Sequence, residues 1–178
     1  MLTLEFDGLF RGAPGNLHLT SDAGVMCYGW VILRDDVVIA RGHGGYARGR
    51  DASSNVAEYL ALIEGLEALI DMQATREPLL ICGDAKSVIQ QMEGEASVSA
   101  SSIKPLNRRA LRLAQRFSDI CWTWKPRRHN HTADALTRRA LQQIKSNATQ
   151  MESAFACAPG HSSNRLRSLL DLRMYQAA

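Results

Sequence analysis

The sequence predicts an α/β protein: a mixed five-stranded sheet, three antiparallel strands followed by parallel ones, with helices on its faces. Three observations carry this expectation. Apolar and polar residues alternate in successive stretches at the start of the chain, as in LTLEFDGLF, where Leu2, Leu4 and Phe6 share one face and Thr3, Glu5 and Asp7 the other. Later stretches switch to apolar residues at helical spacing. Between two of these lies PLLICGD, short and wholly apolar, the signature of a strand buried on both faces.

Taken in order, LTLEFDGLF is the first strand, expected to end near Asp7-Gly8, and the Gly-rich, polar GLFRGAPGNLHLTSDAG is a loop. VMCYGWVIL and VVIARGHGG are the second and third strands, joined by RDD as a hairpin turn that lacks the Asn-Gly signature. SSNVAEYLALIEGLEALIDM is a helix with a polar start and an apolar face of Tyr59, Leu62, Ile63, Leu66, Leu69 and Ile70. After the strand in PLLICGD, AKSVIQQM gives a short helix and the small, serine-rich EGEASVSASS a loop. IKPLNRRALRLAQRFSDI returns to helical spacing through Leu106, Ala110, Leu113 and Phe117, CWTWK alternates as a fifth strand, and NHTADALTRRALQQIKS closes as a helix. Residues 1–146 are thus expected to form one domain and residues 147–178 an extension. In that extension Leu166, Leu169, Leu170 and Met174 trace the stripe of an amphipathic helix, packed on its own domain or, alternatively, offered to a protein partner.

A chain of 178 residues that is 46% hydrophobic can bury a sizeable core. No run of roughly 18 apolar residues occurs, and the first residues do not read as an export signal, so no membrane association and a cytoplasmic, intracellular location are expected. Of the four cysteines, Cys27, Cys82 and Cys121 sit in strand-like runs and read as small buried hydrophobes; none is spaced as a zinc ligand. The net charge is only +3, but Arg108, Arg109, Arg112 and Arg116 line one segment and Lys125, Arg127, Arg128, Arg138 and Arg139 crowd another. Such clusters suit an anionic partner, nucleic acid first, with a solvated helix face as the plainer reading.

Carboxylates stand at the ends of several elements. Asp7 precedes Gly8, a pair that ordinarily makes turns. On a helical wheel Glu58 has Leu62, Gly65 and Leu69 within about 40° and Glu64, Glu67 and Asp71 on the far side. It therefore borders the face that meets the sheet, where its charge carries a desolvation cost that a cation would offset. Each acid has a structural alternative: a capping box Asn55-Val-Ala-Glu58, an N-cap at Asp84, and the favourable dipole at a helix start for Asp134. These alternatives leave the set unexplained. If the first and fourth strands are neighbours, Asp7 and Asp84 leave the sheet at one edge, and Glu58 and Asp134 approach from two helix starts. Acids so gathered cannot all ionise without a counterion, and a divalent metal is the economical one.

FDG, NVAEYLALIEGLEAL, LLICGDAKSVIQQM and RRHNHTADALTRRAL, in that order, resemble the type 1 ribonuclease H family, in the branch ending in a basic stretch and Asn-x-x-Ala-Asp. The resemblance runs from about Leu2 to Ile144. It implies the ribonuclease H-like fold and an endonuclease that hydrolyses the RNA strand of RNA–DNA hybrids. It also implies a two-metal-ion mechanism with Mg2+, two ions about 3.5–4 Å apart when substrate is bound, and Mn2+ accepted. The family's acidic tetrad falls on Asp7, Glu58, Asp84 and Asp134, with Asp7 bridging both ions, Asp134 completing the nucleophile-side ion, and Glu58 with Asp84 holding the other. Substrate contacts are expected from Gly8, Ser53, Ser54, Asn55, Arg128 and Asn130, where the Asn55 amide can read a 2′-hydroxyl and the helix start can hold a phosphate. The arginine-rich segment 106–117 is expected to follow the DNA strand.

Three features depart from the family pattern. The first loop is long and carries Ala13-Pro14-Gly15 where Asn-Pro-Gly is common, and Ala85 replaces a frequent serine. The loop histidine of some members has no clear counterpart; His129 and His131 stand close enough to serve as accessory groups, against the plainer reading of solvated surface histidines. Two alternatives to the endonuclease are a catalytically weak hybrid-binding module and another nuclease, exonuclease or resolvase, on the same fold. Clustered acids serve no polyanion binder, and the Asp-x-Glu usual on an exonuclease's first strand is absent from Asp7-Gly8-Leu9.

Overall fold

The computed structural model describes residues 1–12, 24–48, 52–156 and 172–177. Its strands are β1 (Leu2–Gly12), β2 (Gly24–Arg34), β3 (Val37–Arg48), β4 (Leu79–Gly83), β5 (Ile120–Trp124) and β6 (Leu172–Ala177). Its helices are α1 (Ser54–Asp71), α2 (Lys86–Glu93), α3 (Lys104–Ala114) and α4 (His131–Ala156). The sheet order is β5-β4-β1-β2-β3-β6. β1, β2 and β3 form the expected antiparallel meander, and β4 and β5 run parallel to β1 and to each other in turn. The β2–β3 turn is the two residues Asp35 and Asp36 at φ 48° and 66°, the left-handed pair that matches the twist of a tight hairpin.

The two faces of β1 have separate partners. Leu2, Leu4 and Phe6 are fully buried in the core that includes Tyr59, Leu62, Leu66 and Leu69 of α1. On the same face a Cβ at Gly8 would strike Ala57 and Glu58 of α1, whereas one at Gly29, the β2 partner of Asp7, would strike Ala133 and Thr137 of α4. The sheet thus lies between α1 and α4. β4 ends at Gly83, opposite Phe6, while β1 continues to Gly12. Beyond that point no strand among the described residues flanks β1 on the β4 side, and side chains from both helix layers can meet in the gap.

Several expectations need correction. The first strand does not end at Asp7-Gly8, because pairing with β2 carries β1 on to Gly12. The sheet has a sixth strand: Leu172–Ala177 pairs antiparallel with β3, so Met174 belongs to a strand and not to an amphipathic helix. Without it β3 would be an edge with unpaired backbone groups, and another strand satisfies these where a helix could not. Leu166, Leu169, Leu170 and Cys157 lie outside the described residues, as does Ala13-Pro14-Gly15. The expected boundary after Ser146 falls inside α4, which runs on to Ala156. Glu64, placed on the outer side of α1, is buried and accepts a hydrogen bond from the Tyr46 hydroxyl of β3 at 2.5 Å. Cys27 and Cys82 are buried as expected, but Cys121, on the edge strand β5, is exposed. No helix among the described residues is long and apolar enough to cross a membrane.

Candidate active site

At the end of β4 the structure brings together Asp7, Glu58 and Asp84, one carboxylate oxygen of each lying within 4.8 Å of the others. Asp7 is on the α4 face of β1, just past its last pairing with β4. Glu58 is reached from the other layer, since Gly8 lets α1 press against β1 and the Gly8 N–H donates to the Glu58 carboxylate. Asp84 follows the last residue of β4. None of the three is occupied with helix capping. Ser53 caps α1, its hydroxyl accepting from Val56 N at 3.2 Å, so Glu58 sits beyond the first turn and the alternative of a capping box from Asn55 to Glu58 does not form. Ala85, not Asp84, is the N-cap of α2.

The charges are held at a cost. Burial pushes the Asp7 carboxyl up to about 6; the Thr137 hydroxyl opposes this, and the charges of Asp84 and Asp134 add to it. Burial, then the nearby Asp7 and Asp84, raise Glu58 well above the usual carboxylate range. Asp84 is raised by burial too, with Arg127 acting against it. Asp7 Oδ2 and Glu58 Oε2 are buried with no hydrogen-bond partner. Unpartnered oxygens in an all-oxygen donor set fit a hard divalent cation, which takes oxygen ligands and whose charge would relieve the repulsion.

Asp134 stands apart from this trio. It lies in the first turn of α4 and is paired with Arg127 at 2.6 Å and Arg138 at 2.8 Å, while its charge still acts on Asp7 and Asp84. Asn130 differs from the expected surface contact: it is fully buried, and its amide donates to Phe6 O at 2.8 Å, which ties the start of α4 to β1. Ser54 and Asn55 are exposed at the start of α1, with Ser87 Oγ at 3.5 Å from Asn55 Oδ1. Arg128, His129 and His131 are exposed, and Arg128 Nε donates to His129 Nε2 at 3.0 Å. Of the basic clusters, Arg109 is paired with Glu67 and Lys125 with Glu5.

Three contacts to the acids carry no signal in the sequence, although Arg127 itself belongs to the basic cluster read there. Arg127 is brought to Asp134 by a short 3-10 turn over Arg127–His129, and nothing in the spacing of a basic stretch separates it from Arg128. Thr137 reaches Asp7 from α4. Trp124, whose strand position opposite Gly83 depends on an unreadable parallel register, donates its indole N–H to Asp84 O at 3.0 Å and holds the end of β4 in place.

The profile of the reverse transcriptase-like family matches residues 16–140. The bifunctional protein Rv2228c of Mycobacterium tuberculosis is 35% identical over 147 residues, 83% of this chain and 37% of the relative. Ribonuclease HI of Halobacterium salinarum is 37% identical over 136 residues, 76% of this chain and 62% of the relative. The chain therefore spans less than two thirds of these relatives. The N-terminal RNase H domain of Rv2228c, solved as a fusion with maltose-binding protein, superposes with a TM-score of 0.68 at 32% identity, covering 83% of this chain and 97% of that one.

Proposed function

The chain belongs to the ribonuclease H family, and from that premise we propose that it is an endonuclease hydrolysing the RNA strand of RNA–DNA hybrids with Mg2+, Mn2+ serving in its place. The observation that carries this reading is the trio Asp7, Glu58 and Asp84, in which Asp7 Oδ2 and Glu58 Oε2 are buried with no hydrogen-bond partner. Asp134, on the first turn of α4, completes the set once its pairing with Arg127 and Arg138 is loosened. Metal ions held by these carboxylates would supply activation of a water and stabilisation of the leaving oxygen in an in-line displacement.

The chain's own residues do the rest. Asn130 and Thr137 hold the N-terminal part of α4 to β1, and Trp124 holds the Asp84 backbone, so that the carboxylates are fixed before substrate arrives. Ser53 is spent on capping, which leaves Ser54 and Asn55 as the exposed polar groups at the start of α1 to meet a 2′-hydroxyl or phosphate. Gly8 serves by admitting α1. Arg127 supplies positive charge beside the acids, Arg128 is exposed to meet the scissile strand, and the exposed His129 and His131 serve as accessory groups. An intracellular site of action is part of the same reading.

The test is an end-labelled RNA–DNA hybrid set beside single-stranded RNA and duplex DNA, each with Mg2+, Mn2+ or chelator. Internal cleavage of the hybrid's RNA strand, abolished by chelator, is expected. Equal cutting of all three substrates, or cutting that survives chelation, contradicts the reading.

A further inference from the structure

We propose that Thr137 is a positioning residue: by hydrogen-bonding α4 to β1 beside Asp7 it fixes Asp7 relative to Asp134, and so sets the affinity of the site for divalent ions. The inference rests on the function proposed above. Thr137 is 1% exposed, and its Oγ1 lies 3.2 Å from Asp7 O and 2.9 Å from Ala133 O. A hydroxyl has one proton to donate. Ala133 O is the ordinary acceptor four residues back in a helix and already receives the helical N–H, whereas Asp7 O belongs to another element. The Asp7 carboxyl, which this hydroxyl holds down against the effect of burial, is a third acceptor, so that two of the three belong to Asp7 and join α4 to the strand.

Its place in the chain gives that bond its consequence. The amide of Asn130, four residues before Asp134, donates to Phe6 O, and the hydroxyl of Thr137, three residues after it, reaches Asp7 O. Consecutive carbonyls of β1 are therefore gripped on either side of Asp134. Packing leaves no slack between them: a Cβ at Gly29 would come within 2.7 Å of Thr137 Oγ1 and 2.6 Å of Ala133 O. A water that might replace the lost hydroxyl would need room that such contact does not give.

The experiment compares Thr137→Val, which keeps the shape and loses the hydroxyl, with Thr137→Ser, which keeps the hydroxyl. Mn2+ is titrated against each folded protein by melting temperature and by calorimetry, and kcat and KM for the hybrid are measured separately. The valine variant is expected to need about tenfold more Mn2+, in the range for loss of an outer hydrogen bond at a metal site, and to lose kcat with KM unchanged. Serine is expected to restore both. Unchanged Mn2+ affinity in the valine variant overturns the proposal, as does a serine variant no better than valine. If valine fails to fold, Thr137→Ala against Thr137→Ser decides by the same readings. A wild type that binds Mn2+ but leaves hybrid intact contradicts the proposed function, and Thr137 is then judged on Mn2+ affinity alone; a wild type that binds no Mn2+ overturns both.

Discussion

Gly8 lies so close to Glu58 that a methyl group on Gly8 would come within 2.2 Å of the Glu58 backbone nitrogen. The Asp7-Gly8 pair is therefore a carboxylate followed by a seat for a helix, and not the end of a strand. Gly8→Ala is expected to push α1 outward, costing about 1–3 kcal/mol in overpacking and withdrawing Glu58 from the other acids. Denaturant unfolding and Mn2+ titration check this. A variant of unchanged stability and Mn2+ affinity would show that the contact is not required.

Asp7, Glu58 and Asp84 all have raised carboxyl groups, burial being the first cause in each. Between the unfolded value near 3.8 and about 6 for Asp7, the folded protein holds a proton that the unfolded chain has released. The metal-free protein consequently loses stability as pH rises through that window, and Glu58 and Asp84, raised in the same direction, add to the loss. Asp7→Asn, which cannot ionise, is expected to match wild type near pH 4 and to exceed it at pH 7.5, by on the order of 2 kcal/mol. Denaturant melts in chelator at both pH values measure it; a variant less stable than wild type at pH 7.5 would reverse the assignment.

Arg127 supplies positive charge to the acids but is largely exposed, its side chain 60% accessible in the pair with Asp134. Arg127→Gln is expected to alter stability by less than about 1 kcal/mol, as is usual for a surface pair. It should also tighten Mn2+ binding, because a competing cation has gone. Calorimetric titration of the two proteins at low ionic strength checks the sign, and weaker Mn2+ binding in the variant would contradict it.

The Tyr59 hydroxyl joins three helices, donating to Gln91 Oε1 of α2 at 2.9 Å and accepting from Asn107 Nδ2 of α3 at 3.0 Å. Tyr59→Phe leaves the buried Asn107 amide facing the weak acceptor Met92 Sδ at 3.7 Å. A loss of about 1–3 kcal/mol is expected, the cost of an unsatisfied buried polar group. Urea unfolding measures it, and a change under about half a kcal/mol would mean that the network carries no stability.

The order of elements from β1 to α4 was legible because alternation and helical spacing are local signals. The placing of Asp7 beside Asp84 was legible only on the condition that the first and fourth strands are neighbours, which a strand buried on both faces such as PLLICGD allows and the pairing of β1 with β4 meets. What failed was set by partners distant in sequence. β1 outlasts Asp7 because β2 pairs with it to Gly12, and Leu172–Ala177 becomes a strand because β3 offers it an edge. Glu64 is buried through Tyr46, which no helical wheel contains. Asn130 is expected from the resemblance to contact substrate, yet it is folded inward onto Phe6 O. Arg127 reads only as one of a basic cluster, and Thr137 and Trp124 carry no signal, for the same reason: their partners are Asp134, Asp7 and Asp84, reached only through register and a 3-10 turn.

Crystals grown with Mn2+ and measured near the manganese absorption edge test the account most directly. An anomalous peak coordinated by oxygens of Asp7, Glu58 and Asp84, absent in Asp7→Asn, is the predicted result. Well-ordered crystals at saturating Mn2+ with these three carboxylates in place and no anomalous density between them would contradict it.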